Sequence, residues 1–511
     1  MSAHEPHVET LVMPGAVAVI LPILRRLGIR RIVDELCPMQ WCKGATHGQV
    51  AELFLLHILQ NERRLPLYNL QSWVAEKDLA PLLGCPAEAF NDDRLGRALE
   101  AFAAAMPQLE AQVVAQAVLQ YRLPVETIHW DFTNLTFTGA YEEVELVTRG
   151  YRCPPGCQQI ELSLAVDENG VPLSHQVVPG NAQPHRYIES TLRTLQERLG
   201  RTDLLIIGDR GVICYDLVAA CEKQGARFIG PLSMTPAQQE FARSVPPEAF
   251  SPLSYQPLSG TSEYRCHDTT LQLWPQKKAT PLTVRALLIH SSGKAQREAD
   301  KRQDLLDRAT ARLAKIASQL NRGKYKRRAY AAQQLALATE KTPALLSVEL
   351  SGDDGELSLN WSLEEAAIAQ ARSLDGRYLL ITNTTVTADE VFAAYKRQHV
   401  VESNFRTFKS GLQVQPIYLA NEQRIRGLVL MAILALLIYS LLELISVRRQ
   451  VPSEHYHKLT ARAILRQAGT LAMSRVPLPE QVPRWQLRFN RRQQTLWRDL
   501  GFPSPLTWLE H

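Results

Sequence analysis

The spacing of hydrophobic residues changes character near residue 123. Upstream, in GQVAELFLLHILQNERR (48–64), Val50, Leu53, Phe54, His57 and Ile58 fall three or four apart, the period of one helix face. NDDRLGRALEAFAAAM (91–106) opens with cap-type residues and repeats Leu95, Leu99 and Phe102 at similar spacing. Downstream, VETIHWDFTNLTF (125–137) is rich in β-branched and aromatic residues and reads as a strand. Two more strands, about 159–166 and 172–178, flank Asn169-Gly170, a pair that tolerates the positive φ of a tight turn. There follow an amphipathic helix ending at Gly200, an apolar strand stopping at Gly208-Asp209, a helix over about 212–224 and a strand in ARFIGP (226–231). Three meandering strands leading into βαβ units predict an α/β fold, a mixed sheet with helices on its faces.

The pattern is then interrupted. Short strands in TLQLW and TVRALLIHS precede a long charged helix predicted over 295–340 and a turn at GDDGE (352–356). YLLITNT (378–384) is another apolar strand, and Thr387 with Glu390 forms a capping box. That box starts a helix predicted to run to about 410, ahead of an apolar helix at 427–445. The expected organisation is a helical N-terminal domain (1–122), a first part of the core (123–232), an insertion with strands and a long charged helix (233–375), a second part of the core (376–450) and a basic C-terminal tail (451–511).

Composition narrows this little. With 511 residues the chain is long enough for several domains, and 45% hydrophobic content excludes a disordered chain. A net charge of +5 does not choose a partner, but its distribution is informative. NRGKYKRR (321–328) is densely basic, RWQLRFNRRQQTLWR (484–498) interleaves arginines with aromatics, and Arg25, Arg26, Arg30 and Arg31 give the N-terminal domain a basic edge. The pairs Cys37/Cys42 and Cys153/Cys157 lack the companions of a zinc site and read as ordinary thiols, as do Cys214 and Cys221. No secretory signal is evident. GLVLMAILALLIYSLLELI (427–445) would span about 28 Å as a helix, close to a bilayer core. Glu443, Ser440 and the absence of a second such span favour a buried helix and no membrane.

On a helical wheel, Val401, Phe405, Phe408 and Leu412 of YKRQHVVESNFRTFKSGL form one apolar stripe, with Glu402 at its margin. Tyr395, Glu402 and Lys409 recur every seven residues and drift only about 20° per step, with Arg406 one turn after Glu402. Taken alone, Glu402 and Arg406 read as a surface i,i+4 pair. Asp131 in the first strand and Asp209 at the end of the fourth alter that reading, because ligand sites of open α/β sheets lie beyond the strand carboxyl ends. Three convergent carboxylates repel one another, and a divalent cation with a preference for oxygen ligands removes the penalty.

HWDFTNLTF, IIGDRGVICYD and YKRQHVVESNFRTFK, in that order, resemble the first-aspartate, second-aspartate and Tyr–Arg–Glu–Lys motifs of insertion-sequence DDE transposases, which have an RNase H-like catalytic core. The similarity runs over roughly 91–445, and the interruption resembles the strand-rich insertion of that group. The resemblance implies that Asp131, Asp209 and Glu402 are catalytic and bind two Mg²⁺ ions, for which Mn²⁺ substitutes. It implies that Tyr395 and Lys409 contact DNA near the cut. The signature arginine is replaced by Gln398; Arg397 is one residue early, and Arg406 lies on the Glu402 side as a substitute charge.

The implied activity is binding of terminal inverted repeats, cleavage at the element ends and joining of 3′-hydroxyls to target DNA. Double-stranded DNA is the partner, a homodimer the synaptic state, and the bacterial cytoplasm, at the nucleoid, the location. A catalytically weakened or recruited DNA-binding relative, to which Gln398 points, and an RNase H-like nuclease without strand transfer are the alternatives. Arg210 reads equally as a phosphate contact or a turn residue, and Thr133 and Asn134 as site lining or strand-end polar groups. Trp274, in the region where the group holds a flipped base, reads first as packing, and His399 as a surface histidine.

Overall fold

The structure is a computed structural model that describes residues 10–12, 15–39, 44–60, 66–137, 141, 144–150, 153–257, 260–275, 280–342, 344–414, 417, 419–451, 459–478 and 481–502, with backbone alone over 10–12 and 472–488. The chain forms two compact units. Met1–Arg227 and Lys396–His511 build the first, and Phe228–Tyr395 the second.

The first unit begins with helices, chief among them Val17–Leu27, His47–Gln60, Asp92–Ala104 and Met106–Tyr121. Its sheet holds four strands in the order Pro172–Pro179, Gln158–Val166, Thr127–Phe137, Leu205–Gly208. The first three pair antiparallel, and Leu205–Gly208 lies parallel to Thr127–Phe137. This is the RNase H-like arrangement the motif order implied. The hairpin turn is held by Asp167, whose carboxylate accepts the N–H groups of Asn169 (2.9 Å) and Val171 (2.7 Å). Gly170 takes a φ of 82°, which a side chain would strain.

The apolar stretch is one helix, Glu422–Arg448, capped by Asn421, whose side chain accepts the Arg424 N–H. Among the described residues it is the one helix long and apolar enough to cross a membrane, and 78% of its most apolar window is buried inside the protein. It packs against Asp92–Ala104, His47–Gln60, Met106–Tyr121 and the strand Pro172–Pro179. Each fully buried leucine or isoleucine along it contributes roughly 1.5–3 kcal/mol. At Gly427 the backbones all but touch: a Cβ there would stand 2.1 Å from the Leu99 carbonyl oxygen. A second tie is polar. Glu110, 2% exposed, accepts the His175 backbone N–H (2.8 Å) and pairs with the His175 ring and Arg198. Burial alone would raise its pKa; His175 and Arg198 outweigh that and lower it.

In the second unit five strands pair antiparallel in the order Arg227–Leu232, Arg377–Thr382, Leu282–Ser291, Tyr264–Leu273, Ser251–Pro252. A hairpin of Leu346–Ser351 and Ser358–Leu363 packs through Leu346 with Leu313 and Leu335 of its helices. The predicted 295–340 helix is two, Ser292–Gln319 and Arg328–Thr339. The break falls at Asn321, in the left-handed region at φ 63°, where its amide exchanges two hydrogen bonds with Leu357 (2.9 and 2.7 Å). The described residues of the basic tail form regular elements. Ala461–Ala468 and Arg491–Leu500 are helices, and Ala472–Leu478 pairs with both Gln481–Arg488 and Thr10–Val12.

Gly427→Ala is expected to destabilise the chain by roughly 1–3 kcal/mol through forced separation of two helices, read from the denaturant midpoint. An unchanged midpoint would show that the crossing yields freely.

Candidate active site

The register of two strands sets the site. Ile128, His129 and Trp130 pair in parallel with Ile206, Ile207 and Gly208, so Asp131 and Asp209 are the next residues on neighbouring strands. Such strands lie about 4.8 Å apart. Both aspartates sit at the carboxyl edge of the parallel pair, Asp131 half-buried and Asp209 exposed. One oxygen of each is already held. Asp131 Oδ1 accepts the Phe132 N–H (2.7 Å), and Asp209 Oδ1 accepts those of Gly211 (2.7 Å) and Val212 (3.1 Å).

The helix carrying Glu402 differs from its prediction. Ala388–Lys396 stops, His399–Arg406 begins anew, and Thr407–Gly411 is a π-helical turn. The seven-residue recurrence of Tyr395, Glu402 and Lys409 therefore does not lie on one continuous wheel. Tyr395 belongs to the second unit, Glu402 and Lys409 to the first. The interruption centres on Gln398, which is 7% exposed. Its Oε1 meets His129 Nδ1 at 3.1 Å and its Nε2 donates to the Trp130 carbonyl at 3.2 Å. With the amide oxygen facing Nδ1, the proton sits on Nδ1 of the imidazole. Burial, only partly opposed by the Gln398 bond, lowers the His129 pKa to about 4, so the ring is neutral at physiological pH.

His129, Asp131 and Thr133 share one face of their strand, two residues apart. Gln398 grips this strand at His129, and Lys409 Nζ donates to Thr133 Oγ1 at 2.6 Å. Asp131 thus lies between two clamps that fasten the Glu402 segment. Asn404 adds a third, donating to the Gly170 carbonyl (2.8 Å) and accepting from Ser440 (3.4 Å) on the apolar helix. Arg397, turned from the signature position, pairs with Glu168 at 3.3 Å.

Asp209, Glu402 and Lys409 all act on the Asp131 carboxyl. Burial first, then the charge of Asp209 and more weakly that of Glu402, push the Asp131 carboxyl up to about 7, against the Phe132 N–H and Lys409. Burial lowers the Lys409 pKa while Asp131 raises it. Glu402 has no hydrogen bond or ion pair among the described residues, so the surface pair with exposed Arg406 is not formed. Arg210 is exposed beside Asp209. Trp274 is 69% exposed in the second unit, not packed. Cys42 and the Lys277-Lys278 end of the Trp274 segment lie outside the described residues.

The donor set suits a hard divalent cation: carboxylates only, with Asp131 carrying unrelieved repulsion. Yet among the described residues no three such groups are closed tightly enough to hold an ion as they stand. Sequence reasoning missed Gln398 as a fastening residue, since it registered only as a departure from a motif. A buried amide between two elements has no periodic signal.

Paired aspartates at the carboxyl edge of a mixed sheet, acted on by the charges of Glu402 and Lys409 from a later helical segment, form the candidate site. A model described as "Transposase DDE domain" matches residues 130–438, and the chain belongs to that family. A domain of unknown function, DUF4277, matches residues 11–113. No curated protein matches. Among solved structures, the piggyBac transposase synaptic complex with hairpin DNA is similar at a TM-score of 0.41 and 8% identity, over 97% of this chain and 83% of that one.

Gln398→Ala is expected to lower stability by about 1–3 kcal/mol by leaving a buried imidazole N–H unpaired, and Gln398→Arg by more, because it buries a cation. Denaturant titration of both variants checks this, and a neutral Gln398→Arg would contradict it. The raised Asp131 pKa gives a second outcome. Stability from this group is full below its ordinary 3.8 and lost as pH rises through about 7. Thermal melts of the metal-free protein over that window are expected to fall in wild type and to lack this component in Asp131→Asn. Superimposable profiles would remove the repulsion from the account.

Proposed function

We propose that the chain is a transposase that cuts DNA at the terminal inverted repeats of its element and joins the freed 3′ ends to target DNA. The observation that carries this reading is the parallel register that sets Asp131 beside Asp209 at the carboxyl edge of the sheet, where burial and the charges of Asp209 and Glu402 push the Asp131 carboxyl up to about 7. Asp131, Asp209 and Glu402 are the residues that would hold two Mg²⁺ ions, or Mn²⁺, which when bound would activate the attacking oxygen and stabilise the leaving one.

The chain's own groups supply the rest. Lys409, fixed on Thr133 beside Asp131, places a cation where a scissile phosphate would approach. Arg210 and Arg406, both exposed, are proposed as flanking phosphate contacts, and Tyr395 as the signature tyrosine. Cleavage exchanges one P–O bond for another, with water displacing the 3′-oxygen. Joining repeats the exchange, with the 3′-hydroxyl attacking a target phosphodiester and releasing a new 3′-oxygen, so no energy-rich cofactor is required.

The helical N-terminal region is proposed to bind the element ends, two copies of the chain to hold both ends together, and the bacterial cytoplasm to be the site of action. Gln398 supported the reading as a weakened copy; its two buried bonds instead give it a structural task.

The test is excision and reinsertion in cells, with the gene's flanking DNA on a reporter plasmid. Wild type is expected to excise, and Asp131→Asn, Asp209→Asn and Glu402→Gln to fail at matched protein levels. Excision by all three variants would sink the assignment, and excision without reinsertion would leave a nuclease.

A further inference from the structure

Away from the carboxylates, a second site is built where three helices of the first unit end. A cleft of about 380 Å³ is lined by Arg26, Arg122, Arg448 and Arg449, over an apolar wall that includes Leu500 and Phe502, and among the described residues no carboxylate lines it. That is within the range of ligand clefts, about 300–1,000 Å³.

The plain explanation is helix capping. Met106–Tyr121, Glu422–Arg448 and Arg491–Leu500 all present carboxyl termini near here, each worth roughly −0.5 charge. Two arginines fit that role. Arg26 donates to the Gln120 carbonyl (3.1 Å) and lies over the Tyr121 ring at 4.9 Å. Arg448 donates to the carbonyls of Tyr121 and Arg122. Capping does not use the other two. The side chains of Arg122 and Arg449 are exposed and make no hydrogen bond or ion pair among the described residues. Arg449 lies against Gly501, its Nη2 2.8 Å from where a Cβ would stand.

The charges also fail to cancel. Three helix ends offset roughly −1.5 of the +4, leaving a positive cleft. Arg122 also stands where another residue would fit the backbone better. It holds the left-handed cap of its helix at φ 47°, a position where an arginine costs on the order of 1 kcal/mol more than glycine.

We propose that this cleft binds the phosphodiester backbone of double-stranded DNA, with Arg122 and Arg449 as the phosphate contacts, Arg26 and Arg448 as its fixed frame, and the Leu500–Phe502 wall against the sugar. The contact is independent of sequence and lies apart from the carboxylate site. It rests on DNA being the substrate.

The experiment measures affinity of the full-length chain for a fluorescent random-sequence duplex across a salt series, for wild type, Arg122→Gly, Arg122→Lys and Arg449→Gln. Arg122→Gly relieves the backbone while removing the charge, so lost folding cannot explain its effect. Each lost phosphate contact is expected to flatten the slope of log affinity against log salt by about 0.9, an affinity loss of about eightfold at 0.1 M salt, with Arg122→Lys close to wild type. Wild-type slopes in Arg122→Gly and Arg449→Gln would overturn the proposal while leaving the proposed function intact. A wild-type chain that binds no duplex would remove both. A melting temperature raised by inorganic phosphate, with duplex binding unchanged in the variants, would assign the cleft to a small anion and overturn the DNA reading.

Discussion

Burial of the helix Glu422–Arg448 is the constraint on which the first unit depends. It is apolar on every side, so it requires partners on every side, and the N-terminal helices and the Pro172–Pro179 strand provide them. The contact with Asp92–Ala104 is close enough that only glycine fits at 427. Without this helix, the apolar faces of the N-terminal helices would meet water, and Asn404 would lose the Ser440 hydroxyl that helps seat the Glu402 segment. Core packing and site geometry are therefore one problem in this protein.

The site shows the opposite physics. Nonpolar burial elsewhere lowers the free energy, whereas here burial holds Asp131 next to two other acids, an arrangement that works against folding. Three polar clamps, at Gln398, Lys409 and Asn404, keep the Glu402 segment in place despite that repulsion. The repulsion stays inside a rigid frame, available to a cation. Similar strain without such clamps would be relieved by the segment moving away.

Much of this was legible in the sequence, for reasons that differ by element. The Asp131 strand and the Asn169-Gly170 turn announce themselves through local composition, and local composition is what a sequence displays. That Asp131 and Asp209 become neighbours follows from strand order, which three meandering strands and a βαβ unit largely dictate. The break at Gln398 was not legible: the residues on both sides favour helix, and the reason for stopping is a tertiary bond to His129, far away in the chain. The split at Asn321 was hidden similarly by its bonds to Leu357. The tail was read only as basic because arginines dominate it, whereas Leu496, Trp497 and Leu500 are buried. The arginine cleft draws on four distant parts of the chain, and no window of sequence contains it.

The division of the first unit into two chain segments also orders events during synthesis. Residues 1–227 leave the ribosome well before the apolar helix they surround, because the whole second unit is made in between. At typical rates of about 5–20 residues per second, the emerging helices and half-built sheet wait roughly 10–45 seconds for residue 448. During that interval the groove for Glu422–Arg448 is open and greasy, and the nascent chain is a natural client for chaperones. A message cut short before the last third of the gene would yield a protein with no centre, so the same helix that completes the fold makes partial products self-limiting.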